Sequence, residues 1–116
     1  MIYAKFIESN SEIKRFVLSG HAESGPAGHD LVCAASSALA IGTVNSLYRI
    51  LSKPPIVDYN EIEGGFLDLL IPLEKLQRKE REYAQILLDS LYYSLLDIQE
   101  EHGKYISVSK EKNDQL

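Results

Sequence analysis

The sequence predicts an α+β fold, with a mixed or antiparallel sheet of about five strands and two helices in the order β-β-α-β-β-α-β. Three observations predict this class. Short runs rich in β-branched and aromatic residues come in two pairs, each joined by a polar or glycine-bearing turn, which is typical of hairpins. A long helix-compatible segment follows each pair. A final short run at residues 105–108 then closes the sheet.

Length and composition narrow the class of protein. The 116 residues fit a single domain, 1–116, that can bury a core without disulfide or metal staples. One cysteine cannot form an internal disulfide, and residues 1–6 lack the apolar run of a secretory signal, so we expect a cytoplasmic protein. Charge or proline is expected to interrupt each apolar stretch, which argues against a membrane partner. The net charge of −5 argues against direct nucleic-acid binding and favours a basic partner.

The first hairpin is predicted at residues 2–8 and 13–19. Alternation places Arg15 and Val17 on one face of the second strand, and His21 leaves the strand end on that more polar face.

A loop and a long helix follow. Glycines and a proline predict a loop over residues 22–29, and Asp30 reads as the N-cap of a helix over residues 31–51. Small residues on nearly every face of this segment predict a central, buried helix.

The second half of the chain repeats the pattern. Pro54 and Pro55 end the first helix, and strands are predicted at residues 56–59 and 66–71. The second of these strands is too apolar to have one face in water, so it is covered on both sides or its edge meets a partner.

The second helix is predicted to begin at Pro72 and to run to residue 101, where Gly103 stops it. Its second half is more apolar than one core-facing stripe requires. This favours either a homodimer through this helix or a sheet edge, or a helix sunk deeply in its own domain. The polar tail, residues 110–116, is expected to fray.

Cys33 is the candidate nucleophile. A thiol needs help to ionise at neutral pH, and Cys33 is predicted about three residues into a helix, where free N–H groups favour a negative sulfur and could hold an oxyanion. His21, held at a strand end, is the favoured base, and His29 is the alternative. Asp30 caps the helix or orients the imidazolium, and Ser37 lies one turn after Cys33 on the same face.

Competing interpretations of the same residues remain open. The possible zinc ligands are His21, His29, Cys33, Glu23 and Asp30, but a second pair of Cys or His ligands is lacking, so we expect no metal and no cofactor. The glycine loop before a helix could bind phosphate, but it lacks the lysine of a P-loop. Cys33 could also be an inert, buried thiol.

The residues around Cys33 resemble the ribosomal-processing cysteine protease family, Prp. The shared pattern is Gly20-His21-Ala22, five residues, and then Gly28-x-Asp30-Leu31-Val32-Cys33-Ala34-Ala35-x-Ser37-Ala38-Leu39. The resemblance implies a homodimeric cysteine endopeptidase that removes the short N-terminal extension of ribosomal protein L twenty-seven.

The resemblance also implies a role for each site residue. Cys33 is the nucleophile, His21 is the base, and Asp30 and Ser37 belong to the same site. The intervening segment is implied to be a mobile loop that closes over substrate: Ala22, Glu23, Ser24, Gly25, Pro26, Ala27 and Gly28. Leu31 stands where isoleucine is common, and the loop lacks the aromatic residue often found there. The alternative function is a non-catalytic ribosome-associated binding module.

Overall fold

The computed structural model describes residues 1–20, 27–60 and 66–116, without the side chains of residues 27–30. The predicted α+β class and element order are confirmed. The elements are β1 (Ile2–Ser9), β2 (Glu12–Ser19), α1 (Ala27–Ile50), β3 (Ile56–Asn60), β4 (Phe66–Leu70), α2 (Arg78–His102) and β5 (Ile106–Lys112).

The five strands form one mixed sheet in the order β3-β4-β2-β1-β5. β5 runs parallel to β1, and the other neighbouring pairs are antiparallel. Burial alternates along β1, where Ala4 and Phe6 are buried while Tyr3 and Lys5 are exposed. The buried face of the sheet and the buried faces of both helices belong to one apolar cluster. The molecule therefore has two layers, and one face of its sheet is open to solvent.

The β1–β2 hairpin carries a register shift that α2 holds in place. The turn residues Asn10 and Ser11 both have positive φ, as tight hairpin turns require. Glu8 pairs with Ile13 while Ile7 pairs with Arg15, so one residue of β2 is extra. Gln85 of α2 accepts the Ile13 N–H at 2.7 Å and donates to the Ile13 carbonyl at 2.9 Å. One side-chain amide thus satisfies both backbone groups beside the bulge.

Helix α1 is less buried than the sequence predicts. Its buried positions form one stripe along the helix, Val32, Ser36, Ala40, Val44 and Leu47. Most of the remaining positions are exposed or half-buried. The prediction of burial on every face is therefore wrong, because the sheet and α2 cover one side of this helix. Small residues permit close packing on all sides, but they do not require it.

The expectation that charge or proline interrupts every apolar stretch is also wrong. The segment Leu31–Ile50 has a mean hydropathy of 1.4 and is long and apolar enough to span a membrane by length and composition alone. Arg49 is its single charged residue. A helix that lines the core of a globular domain can meet the same criterion, and α1 contributes its buried stripe to the core.

The second helix begins later than predicted. Residues Leu73–Lys75 form a short 3₁₀ turn, Gln77 is extended, and α2 starts at Arg78. Leu73 and Leu76 are buried in this segment, so the chain uses it to close the core before the helix begins. The predicted end is confirmed, since α2 stops at His102 before Gly103.

The C-terminal tail is ordered, contrary to the prediction of fraying from residue 110. β5 continues to Lys112, and the Asn113 N–H donates to the Glu8 carbonyl at 2.8 Å. The Asp114 carboxylate accepts the Asn10 N–H at 3.0 Å. Polar side chains suit this strand because backbone bonds to β1 hold it, and its side chains point largely into solvent.

Candidate active site

Cys33 lies two turns into α1. The helix begins at Ala27, so Cys33 is its seventh residue rather than about its third. The free N–H groups of a helix belong to its first turn, and the effect of the helix dipole fades beyond it. The predicted stabilisation of the sulfur by the helix N-terminus, and the predicted oxyanion contact from the Cys33 N–H, are therefore wrong.

The thiol is half-buried and lines a pocket of about 280 Å³. The lining from α1 consists of Cys33, Ser36, Ser37, Ala40 and Ile41, and the ends of four strands supply the rest. The strand residues include Ile2, Leu18, Gly20, Tyr59 and Phe66. Most of this lining is apolar. The alternative that Cys33 is a buried thiol is wrong, because the residue is half-buried and lines this pocket.

Two serines of α1, Ser36 and Ser37, line the pocket together with Cys33. Ser37 is exposed and lines the same pocket as Cys33, as the sequence predicts. Ser36 is buried, and its hydroxyl donates to the Val32 carbonyl at 2.7 Å, with the Cys33 carbonyl 3.3 Å away. Sequence reasoning missed Ser36, although its spacing of four residues from both Val32 and Ala40 places it on the buried stripe. The hydrogen bond satisfies a hydroxyl that would otherwise be buried without a partner.

Gly20 forms the wall of the pocket at the end of β2. Its φ is +115°, a conformation that side-chain-bearing residues rarely adopt. A Cβ at this position would collide with the Met1 carbonyl oxygen and would lie 2.9 Å from the Ile2 Cα. Glycine is therefore required here for two independent reasons, and the residue that follows it is His21.

The remaining site predictions have different outcomes. His21 and residues 22–26 lie outside the described residues, and so do the side chains of His29 and Asp30. Ala27 and Gly28, predicted in the mobile loop, are the first two residues of α1. Asp30 is the fourth residue of α1, so its predicted position as the N-cap is wrong.

The zinc hypothesis is not supported by the described part of the chain. There, no group of three or more His, Cys, Asp or Glu residues is placed to hold a metal ion. The candidate ligands His21 and His29 have no described side chains, so the expectation of a metal-free site stays a prediction.

The ion pairs with shifted pKa values stand outside the pocket. Hydrogen bonding to Asp68 raises the pKa of Arg15 on the open face of the sheet. Hydrogen bonding to Glu12 raises the pKa of Arg81 and joins α2 to β2. These pairs hold elements together, and neither residue borders the thiol pocket.

A half-buried thiol on a helix, facing a pocket at the ends of sheet strands, defines a candidate thiol enzyme. Comparison with known proteins specifies the family. Residues 1–107 match the family model described as cysteine protease Prp. The chain therefore belongs to this family, and the predicted class of cysteine protease is confirmed.

Relatives and solved structures agree with this assignment. A ribosomal processing cysteine protease Prp of Bacillus subtilis is 32% identical over 110 residues, which cover 94% of this chain and 96% of the relative. A Streptococcus mutans crystal structure is 27% identical, covers 97% of this chain and 96% of its own, and has a TM-score of 0.84. The ribosomal processing protease Prp from S. aureus, in complex with a substrate peptide, is 27% identical. That structure covers 95% of this chain and 99% of its own, with a TM-score of 0.79.

Proposed function

We propose that this chain is a cysteine endopeptidase that removes the short N-terminal extension of ribosomal protein L twenty-seven. The observation that carries the proposal is the half-buried Cys33 thiol, which faces an apolar pocket within the motif that resembles the family. The names of the relatives support ribosomal processing. A solved S. aureus relative in complex with a substrate peptide supports a peptide as the substrate.

His21 is proposed as the general base. The imidazole takes the thiol proton, and the resulting thiolate attacks the carbonyl carbon of the scissile peptide bond. The tetrahedral intermediate collapses, the C–N bond breaks, and the imidazolium returns its proton to the leaving amine. Water then hydrolyses the thioester, which releases the extension as a carboxylic acid and restores the thiol.

Because Cys33 lies two turns into α1, the proposed mechanism depends more strongly on His21 to stabilise the thiolate. With the sulfur two turns from the helix start, the dipole contributes little to ionisation. The proposed imidazolium is then the main group that stabilises the thiolate. The exposed Ser37 hydroxyl lines the same pocket, so it is proposed to donate a hydrogen bond to the peptide near the sulfur.

The pocket beside the thiol is proposed to accept an apolar side chain of the peptide. Its walls include Leu18, Ile41 and Phe66, and its volume of about 280 Å³ suits one side chain rather than a folded segment. An extended, unfolded stretch of substrate is therefore required at the site.

Incubation of the purified protein with the extended ribosomal protein tests the activity. We expect a product shortened at its N-terminus by mass spectrometry, and no product from Cys33→Ala. His21→Ala should lower kcat by roughly 10²–10⁴-fold, the usual contribution of a general base, whereas the matched control His29→Ala should stay near wild type. Equal cleavage by Cys33→Ala would exclude the thiol mechanism.

The pH dependence of thiol alkylation tests the base independently of the substrate. In the proposed pair, Cys33 reacts well below pH 8, and His21→Ala moves the midpoint toward the free thiol value of about 8.5. A profile that is the same in wild type and His21→Ala would contradict the assignment of the base.

We further propose that the protein acts as a cytoplasmic homodimer. In support, both helices expose large apolar side chains. On α1 these include Leu39, Ile41 and Tyr48, and on α2 they are Tyr83, Ile86 and Tyr93. The predicted interface on α2 or a sheet edge remains a prediction, and α1 adds a second apolar surface. Between Ala34 and Tyr48 this surface carries no charged residue, which favours an apolar partner surface.

A further inference from the structure

A second cavity, the α1–α2 groove, lies between the start of α1 and the end of α2. Its volume is about 390 Å³. Its apolar lining consists of Leu31, Val32, Ala35 and Ile98. The rim on α2 consists of Asp97, Glu101 and His102. Leu31 and Val32 immediately precede Cys33, so the groove and the thiol pocket border the same turn of α1 from its two sides.

The charges on this rim are unfavourable for the helix that carries them. Asp97, Glu100 and Glu101 stand in the last two turns of α2, where the carbonyl ends of the helix favour cations rather than carboxylates. The groove lining contains no lysine or arginine. Neither Asp97 nor Glu101 forms an ion pair with a lysine or arginine within the described ranges, and Glu101 lies 4.0 Å from the His102 imidazole. Among the described residues, no lysine or arginine therefore pairs with Asp97 or Glu101.

We propose that the α1–α2 groove binds a lysine or arginine side chain of the polypeptide substrate, beyond the residues that enter the thiol pocket. Long basic side chains lay their aliphatic stems on apolar surface while the charged end reaches an acidic group. Leu31 and Ile98 provide that surface, and Asp97, Glu101 and the terminal carbonyls of α2 provide the negative rim.

The chemistry of the substrate supplies the complementary charge. A protein that is assembled into the ribosome contacts RNA phosphates through lysine and arginine, so it is basic. This chain has a net charge of −5 and is therefore acidic. The inference rests on the proposed function and adds to it a specific contact. The groove recognises the basic part of the substrate, while the thiol pocket accepts the apolar part.

The test compares two double variants with the same change of charge on the same helix. Asp97→Asn/Glu101→Gln removes the rim of the groove, and Asp89→Asn/Glu82→Gln removes two carboxylates from α2 outside it. The substrates are the extended ribosomal protein and a short peptide across the cleavage junction in which every lysine and arginine is replaced by glutamine. At low salt, the groove variant should lose roughly fivefold to tenfold in kcat/KM on the protein, mainly through KM. On the neutral peptide it should match wild type, and the control variant should match wild type on both substrates.

Two further measurements, the salt dependence of kcat/KM and direct binding of a basic peptide, distinguish a specific contact at the groove from attraction by the net negative charge of the protein. Rising salt should lower kcat/KM of wild type more steeply than that of the groove variant. In Cys33→Ala protein, which needs no catalysis, fluorescent hexalysine should bind about fivefold to tenfold less tightly when the groove substitutions are added. Equal losses in both double variants, or an unchanged groove variant, would overturn the proposal. A change in oligomer mass with unchanged hexalysine binding would overturn it as well, because the groove would then hold a second copy.

The same measurements distinguish failure of the groove from failure of the proposed function. Absence of cleavage by wild type on either substrate would reject the peptidase, and the hexalysine titration would still decide the groove. Normal cleavage with identical hexalysine binding in all variants would reject the groove alone.

Discussion

Gly20 is the residue in the described structure whose identity is most tightly constrained by its surroundings. Its positive φ and its closeness to the Met1 carbonyl both exclude a side chain. The residue follows β2, lines the thiol pocket and precedes His21. The glycine of the motif thus has a steric role, which is to let the start of β1 pass close to the backbone that follows β2.

Gly20→Ala is therefore expected to disrupt both packing and activity. An alanine must either move the start of β1 or change the φ of residue 20, and each response shifts the end of β2. We expect a loss of about 1–3 kcal/mol in unfolding free energy and a fall in kcat, measured by urea unfolding and by peptide cleavage. Gly42→Ala is the control, because a Cβ at Gly42 meets nothing within 4 Å, and it should be neutral or stabilising. Similar losses in both variants would argue against a specific role for Gly20.

The sequence correctly predicted relative positions of residues where local helical spacing determines them. Cys33 and Ser37 line one pocket because helical spacing alone fixes their common face. Asp30 was misplaced because an aspartate before an apolar run is a common N-cap, and here the helix starts three residues earlier. The close approach at Gly20 was not predictable, since it depends on a contact with the start of β1, the strand that pairs with β2.

At the scale of elements, a glutamate joins the end of α1 to the start of α2. Glu80 stands in the first turn of α2 and accepts hydrogen bonds from the backbone N–H and the hydroxyl of Ser52. These bonds hold the pKa of Glu80 below its usual value. Its position at a helix N-terminus suits a negative charge as well.

This joint predicts a specific pH dependence of stability. Because the pKa of Glu80 is lower in the folded than in the unfolded chain, its contribution is complete above the unfolded value of about 4.3. The contribution is lost as pH falls through the folded pKa. The Tm of wild type should therefore fall more than the Tm of Glu80→Gln when the pH is lowered from about 6 to about 3. This range includes the unfolded pKa of about 4.3.

The control variant is Glu82→Gln, which removes one carboxylate two residues further along α2. It leaves the hydrogen bonds between Ser52 and Glu80 intact. A Tm difference between wild type and Glu80→Gln that stays constant across this range would show that the Ser52 bonds do not favour the ionised carboxylate.

At the scale of the whole molecule, the sheet and the two helices cover one another on one side only. Both helices bury part of their surface in the core and leave large apolar side chains exposed. The sequence correctly predicted two helices and a mixed sheet, because strand and helix periodicities are local. It overestimated the burial of α1, because burial depends on how much of a helix its neighbours cover.

A charge introduced on the outer side of α1 is expected to separate the proposed dimer. Ala38 is exposed in the middle of the uncharged stretch, so Ala38→Lys would place an ammonium group in an apolar interface. Sedimentation should show a fall from two copies to one, and the Tm of wild type alone should rise with protein concentration. Ile86→Lys makes the same test on α2, and Gln115→Lys, at an exposed position after β5, is the surface control. A monomeric wild type would reject the dimer, and separation by Ile86→Lys alone would place the interface on α2.

The parallel pairing of β1 with β5 also governs when the molecule can fold. Ile2 lies opposite Ile106 in this register. Strand β1 is synthesised first, and it cannot pair with β5 until about 100 further residues have been translated. At 5–20 residues per second, that delay is roughly 5–20 s. Throughout it, the β1 edge is unpaired on the side that β5 later covers, and the wall of the thiol pocket formed by Ile2 is not yet fixed. A nascent chain is thus expected to lack the complete pocket, and the protease becomes competent only after translation of its last strand.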